Sequence, residues 1–228
     1  MATKIKPIAY IHNDFKEKFG VPRQSGRVQT ISEIVFEPEF RDENALIDIE
    51  QFSHLWLIFD FSLSHKDTWS PTVRPPRLGG NKRVGVFASR SPFRPNNLGL
   101  SVVKLLSLDK TADKGVVLNV SGADLVDNTP IYDIKPYIPY ADCILDAKGG
   151  YAEQNKGHKL KVVFPDELRC KIPDEKSDIL IECLADDPRP SYQDDGRVYT
   201  MSFANFDISF SVTGDTLLVT AVKEISEV

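Results

Sequence analysis

Alternating apolar and polar positions predict a first strand over residues 5–12 and a second over 28–36, ending before Pro38. Between them, KEKFGVPRQSG at 16–26 is broken by Gly20, Pro22 and Gly26 and reads as a loop whose Arg23, Gln24 and Ser25 offer donors. Residues 41–49 contain DENALIDI, with acids in the first turn, which predicts a short helix. FSHLWLIFDF at 52–61 is almost unbroken apolar sequence. Such a run is a strand buried on both faces or a buried helix, and its aromatic content favours the strand. His54 within it reads as a hydrogen-bonded core residue. SPTVRPPRLGGN at 70–81 has three prolines and two glycines, which exclude regular structure over most of its length.

The stretch GVFASRSPFRPNNLGLS at 85–101 is the centre of the pattern. A strand over 84–88 enters a loop bearing Arg90 and Arg94, and a strand over 100–106 leaves it. Pro92 and Pro95 fix two φ angles and restrict the residues before them. Two guanidinium groups and two amides on so short a loop suit an acceptor-rich ligand, although loops between strands are often simply solvated. A strand follows at 115–120, a turn at Asp127-Asn128, and an extended IYDIKPYI at 131–138 that puts Asp133 and Lys135 on one face. They read as a surface ion pair or a charge pair in a pocket.

The pattern lapses over 147–159, AKGGYAEQNKGHK, which marks a domain boundary. Beyond it come a strand at 160–164 and an amphipathic helix at 175–185 with Ile179, Ile181, Cys183 and Leu184 as apolar candidates. The loop DDPRPSY at 186–192 precedes strands at 198–203, 206–212 and 216–222, the last two joined at Thr213-Gly214-Asp215. The first domain, 1–147, is mostly β, its strands too short and evenly spaced for βαβ units. The second, 159–228, is a small α+β domain.

The chain carries a net charge of −5, which argues against diffuse nucleic-acid binding through net charge. Residues 70–104 depart from that average, with seven Lys or Arg and no Asp or Glu. A local positive field of this kind suits a phosphate-bearing partner. Cys143, Cys170 and Cys183 lack CxxC spacing and read as free thiols in a reducing compartment. The four histidines show no metal-ligand spacing, so no metal is expected. No apolar run approaches the roughly 20 residues of a membrane span, and MATKIKPIAYIHND does not resemble a signal peptide, so neither membrane attachment nor export is expected. GxGxxG after a strand, the Walker loop, GxSxG and HExxH are all absent.

Six blocks in order, PRQSG at 22–26, FSHLW at 52–56, PTVRPPRLGGN at 71–81, the stretch 85–101, DLVDNTPIYDIKPYIPYAD at 124–142 and DPRPSY at 187–192, resemble the TsaA-like (YaeB/TrmO-like) family. The resemblance covers most of the chain. It implies a cytoplasmic, homodimeric enzyme with a single-sheet β-barrel N-terminal domain and a small C-terminal domain. The implied reaction uses S-adenosyl-L-methionine to methylate N6 of N6-threonylcarbamoyladenosine beside the anticodon of threonine tRNA. It assigns the cofactor to Gln24, Ser25 and Gly26, the strand end at Ser62, Leu63 and Ser64, Arg90, Leu100, and the turn of Asp133, Ile134, Lys135 and Pro136. Arg74, Arg77, Lys82, Arg83 and Arg94 are expected at RNA phosphates. Trp69, Phe93, Tyr137 and Tyr192 are candidates for base stacking. Asp133 and Arg189 are the catalytic candidates, Asp133 as the base that loosens the acceptor proton. One departure stands out. The family loop reads RPNP where this chain has Asn97 after Asn96, which removes one φ restraint.

Overall fold

A computed structural model describes residues 4–75, 78, 82–155, 159–189 and 196–225. Among these, no helix is long and apolar enough to cross a membrane. The strands in chain order are β1 (Ala9–His12), β2 (Ile31–Phe36), β3 (His54–Asp60), the short β4 (Thr72–Val73) and β5 (Val84–Gly85), β6 (Leu98–Thr111), β7 (Gly115–Ser121) and β8 (Thr129–Pro136). Six of them pair in the order β1-β2-β7-β6-β3-β8, and β8 returns to β1, so the sheet closes into a ring.

The hydrophobic alternation explains the ring. Leu55, Leu57 and Phe59 of β3 are buried, as are Ile11, Ile34, Val103, Leu118 and Ile131 from the other strands of the ring. Each such side chain taken from water contributes about 1.5–3 kcal/mol. The unbroken apolar run at 52–61 is therefore a strand, but it is buried on one face only. His54, Trp56 and Ile58 point outward and are half-covered. Trp56 Nε1 donates to Asp142 Oδ2 at 3.0 Å, and its ring packs on Tyr137.

Three local expectations change. The helix over 41–49 resolves into two 3-10 turns, Glu43–Leu46 and Ile49–Gln51. Asp42 caps the first, and Asp48, at φ 67°, breaks the path to the second. The strand over 84–88 stops at Gly85 and tightens into a 3-10 turn, Val86–Ala88, because Ser89 Oγ and Arg94 Nη1 both bond the carbonyl of Val86. The segment Asp133 to Pro136 is a strand end within β8, not a turn.

The C-terminal elements are α1 (Pro139–Asp142), β9 (Lys161–Val163), α2 (Asp166–Arg169), α3 (Asp174–Ala185), β10 (Val198–Phe203), β11 (Phe206–Thr213) and β12 (Thr216–Glu224). The sheet order is β10-β11-β12-β9, with β9 parallel to β12. Leu180, Cys183 and Leu184 of α3 are buried on it, together with Ile208, Phe210 and Leu217. Phe15 and Val28 from the N-terminal segment belong to this second core, and Phe19 and Val21 pack against it. The loop at 16–26 connects ring strands β1 and β2 yet is anchored in the second core. Arg27 pairs with Asp186, and the backbone N–H of Gln29 bonds Glu182 Oε2 at 3.1 Å. The three cysteines are free, Cys183 buried and the other two exposed.

Candidate active site

The loop after β5 is rigid for reasons visible atom by atom. Arg94 Nη1 bonds the carbonyls of Ser89 at 2.8 Å and Val86 at 3.1 Å, and the guanidinium lies over the Phe87 ring. Asn97, where the family pattern has proline, donates its amide to the carbonyl of Pro92 at 2.8 Å and reaches that of Ser64 at 3.4 Å. Its own carbonyl accepts from the N–H of Phe61. Hydrogen bonds across the loop thus replace the missing φ restraint.

This loop walls a cavity of about 1260 Å³. The other walls are the loop from Arg23 to Arg27, the segment after β3, and Gly149 to Glu153 of the inter-sheet connection. Its volume exceeds the range of about 300–1,000 Å³ usual for one small ligand. Gln24, Ser64 and Arg90 all face it, and Arg90 Nη1 donates to Gln24 Oε1. Arg74 and Arg94 also line it, with Trp69, Phe87 and Phe93 as its aromatic surfaces. Trp69 and Phe87 are 52% and 73% exposed and lie 6.2 Å apart. Tyr151 donates to the carbonyl of Ala88 at 3.1 Å, which ties the connection to the loop.

Other assigned residues sit outside the cavity. Leu100 and Asp133 lie on the outer face of the ring, on either side of Ile58 in β3. Ile134 packs towards the ring core, while Lys135 and Pro136 are exposed. Lys135 Nζ pairs with Asp133 Oδ2 at 2.8 Å on the surface, and Asp133 Oδ1 accepts from the N–H of Ile134. Ser62, Leu63 and Ser64 form a 3-10 turn after β3, and of the three Ser64 lines the cavity. Lys82 and Arg83 are exposed near β5, with Arg83 bonded to Thr72 Oγ1. Arg77 and Tyr192 lie outside the described residues. Tyr137 packs against Trp56 and His54 instead of facing the cavity. Arg189 is buried, its guanidinium bonding both carboxylate oxygens of Asp187, and its carbonyl accepts from Arg23.

Asp124 escaped the sequence reading although it opens one of the recognised blocks. It is a buried carboxyl that accepts from Ser101 Oγ at 2.6 Å and from the N–H of Ser25, close to Arg90. It therefore ties the 22–26 loop to the residue after Leu100. The N–H of Gly26, at φ 74°, bonds the carbonyl of Gly122 beside it. Burial pushes the Asp124 carboxyl above its ordinary value of 3.8, against the opposing hydrogen bonds and Arg90. A raised acid binds more protons folded than unfolded, so its stability contribution falls as pH rises above that value. The stability of the wild type relative to Asp124→Asn is expected to decline from pH 4 upwards and then level off. Urea denaturation at a series of pH values measures this, and a relative stability that grows with pH contradicts it.

The donor set suits a ligand with a carboxylate and a ribose: a guanidinium fork, a side-chain amide, a serine and exposed loop backbone. The cationic and aromatic rim suits an unstacked nucleotide with its phosphates. No cluster of metal-ligating side chains occurs among the described residues.

Comparison with known proteins agrees with this chemistry. The family model described as the tRNA-methyltransferase O N-terminal domain matches residues 10–143, and the TrmO C-terminal domain model matches 157–225. The Escherichia coli protein named tRNA (adenine(37)-N6)-methyltransferase is 39% identical over 221 residues, 92% of this chain and 93% of its own. A Pyrococcus abyssi protein named a probable S-adenosyl-L-methionine-binding protein is 40% identical over 157 residues, 68% of this chain and 79% of its own. The crystal structure of TrmO from Pseudomonas aeruginosa superposes with a TM-score of 0.78 at 32% identity, covering 98% of this chain and 100% of that one.

Proposed function

The chain belongs to the tRNA-methyltransferase O family, and we propose that it methylates N6 of the adenosine at position 37 of a tRNA, using S-adenosyl-L-methionine. The substrate base is N6-threonylcarbamoyladenosine, and the carrier is threonine tRNA. The observation that carries this reading is the convergence of Gln24, Ser64 and Arg90 on one cavity whose rim is cationic and aromatic.

Arg90 and Gln24 hold the polar tail of the cofactor. Ser25 and Gly26, their N–H groups held by Asp124 and Gly122, fix the loop that carries Gln24, and the turn Ser62–Ser64 borders the bound molecule. Leu100 and the strand end Asp133, Ile134, Lys135 and Pro136 form its outer support, with Asp133 kept in place by Lys135. The bound cofactor supplies an electrophilic methyl group on sulfonium sulfur. Alignment of acceptor and donor then provides much of the rate. Arg74, Lys82 and Arg83 contact the RNA backbone, while Arg94 braces the loop that faces it. Arg189 acts through the 22–26 loop, whose Arg23 it anchors.

The ring of six strands is the barrel of a methyltransferase domain at 1–147, and 159–228 is the small C-terminal domain, whose core also takes Phe15 and Val28. The enzyme works as a homodimer in the cytoplasm.

Purified protein, labelled cofactor and two tRNA pools, one bearing threonylcarbamoyladenosine and one lacking it, test the reading. Label is expected only in the modified pool. Equal labelling of both pools rejects the substrate assignment. Cofactor binding without transfer to either pool rejects the tRNA substrate, and no cofactor binding rejects the enzyme.

A further inference from the structure

His65 follows the turn Ser62–Ser64, and the residues on either side of it, Ser64 and Lys66, line the cavity. Its own imidazole turns to Asp60, with Nε2 2.7 Å and 2.9 Å from the two carboxylate oxygens. Asp60 ends β3 opposite Leu98 of β6. Strand alternation puts it on the outer face with Ile58, the residue flanked by Leu100 and Asp133. The pair therefore sits one step along the strand from the outer support of the cofactor and one residue from the cavity.

The Asp60 side chain is 12% exposed and that of His65 is 58% exposed. A sheltered carboxylate that accepts from Nε2–H fixes the tautomer and leaves the lone pair on Nδ1. Among the described residues nothing bonds Nδ1. Asp133 differs, because Lys135 occupies one of its oxygens and the N–H of Ile134 the other.

We propose that His65 is the general base of methyl transfer and that Asp60 positions it, an inference that rests on the cofactor assignment above. As the bond from N6 to the methyl carbon forms, the bond from that carbon to sulfur breaks and its electron pair stays on sulfur. The N6 proton passes to Nδ1 of His65. The products are the thioether, the N6-methylated base and an imidazolium beside Asp60, which later returns its proton to water. Total charge is conserved, since the sulfonium charge lost reappears on the imidazolium.

Nitrogen-15 histidine NMR of the protein alone tests the geometry. The expected spectrum shows His65 protonated on Nε2 and unprotonated on Nδ1, and Asp60→Asn loses that fixed tautomer. A His65 protonated on Nδ1 overturns the proposal. In the tRNA assay, His65→Ala is expected to lower kcat by about 10²–10³-fold. Cofactor and tRNA affinities, measured by calorimetry, are expected to stay within about twofold on the same reasoning. Added imidazole is expected to restore part of the rate by occupying the exposed space on Asp60. Activity close to wild type, a loss explained by weakened binding, or a loss that imidazole does not restore each overturn the role. A wild-type protein that binds cofactor but methylates no tRNA rejects the functional reading itself, a result distinct from failure of the His65 variant alone.

Discussion

Replacing Arg90 by alanine is expected to lower kcat/KM for the methyl donor by about 10²–10³-fold, equivalent to roughly 2.7–4 kcal/mol of transition-state stabilisation. The guanidinium lines the cavity, is exposed, and bonds Gln24 Oε1. It thus offers its remaining donors to a bound carboxylate in fork geometry, which lysine does not reproduce. Arg90→Lys is accordingly expected to recover only a small part of the loss. The side chain is exposed, so the thermal midpoint is expected to move by no more than about 2 °C, as for surface substitutions within about 0.5 kcal/mol. Steady-state kinetics with a thermal melt measures both. A fully active Arg90→Ala protein removes Arg90 from the site.

The largest effect on stability is expected at Gly99. This residue pairs with Phe59 across β6 and β3, and the Phe59 ring lies over it. A Cβ at position 99 would come within 2.2 Å of Phe59 Cζ and 2.3 Å of Cε2. Phe59 is buried and edge-on to Phe61 at 5.1 Å, so the ring has little room to retreat. Gly99→Ala is therefore expected to destabilise the protein by about 2 kcal/mol, a fall of roughly 5 °C in Tm for a chain of this size. The same substitution added to Phe59→Ala is expected to cost close to nothing, giving a coupling of about 2 kcal/mol in the double-mutant cycle. An additive cycle means that the glycine is required for some reason other than the ring. Because Gly99 separates Leu100 from the rigid loop, the single variant is also expected to weaken cofactor binding.

Gly99 marks the limit of what the chain alone discloses. In sequence it is a glycine between a polar loop and an apolar strand, a place where conformational freedom is the natural explanation. In the structure the cause is a ring from a strand 40 residues earlier, which no local pattern reports. The same division runs through the site. Arg90 and Gln24 stand in recognised blocks and Ser64 at the strand end that the resemblance implied, and all three line one cavity. Asp124 and His65 were present in the sequence but carried no distinguishing spacing. Their roles come from partners, Ser101 and Ser25 for one and a buried Asp60 for the other. Arg94 looked like a free cation for RNA, yet its Nη1 is committed to two carbonyls of its own loop.

The sequence by itself determined the β character of the chain, the order of its strands, the α3 helix, the acid-free basic stretch and the family. Each of these is written in periodicity, composition or contiguous motif, and so survives without knowledge of distant contacts. Tertiary structure alone decided that the ring closes through β8 and β1, that β3 buries one face, and that Phe15 and Val28 leave the first domain to join the second core. It also decided which of the assigned residues face the cavity and which lie on the outer surface of the ring. Those outcomes depend on which strand pairs with which and on where side chains find acceptors. Both are settled by packing between residues far apart in the chain.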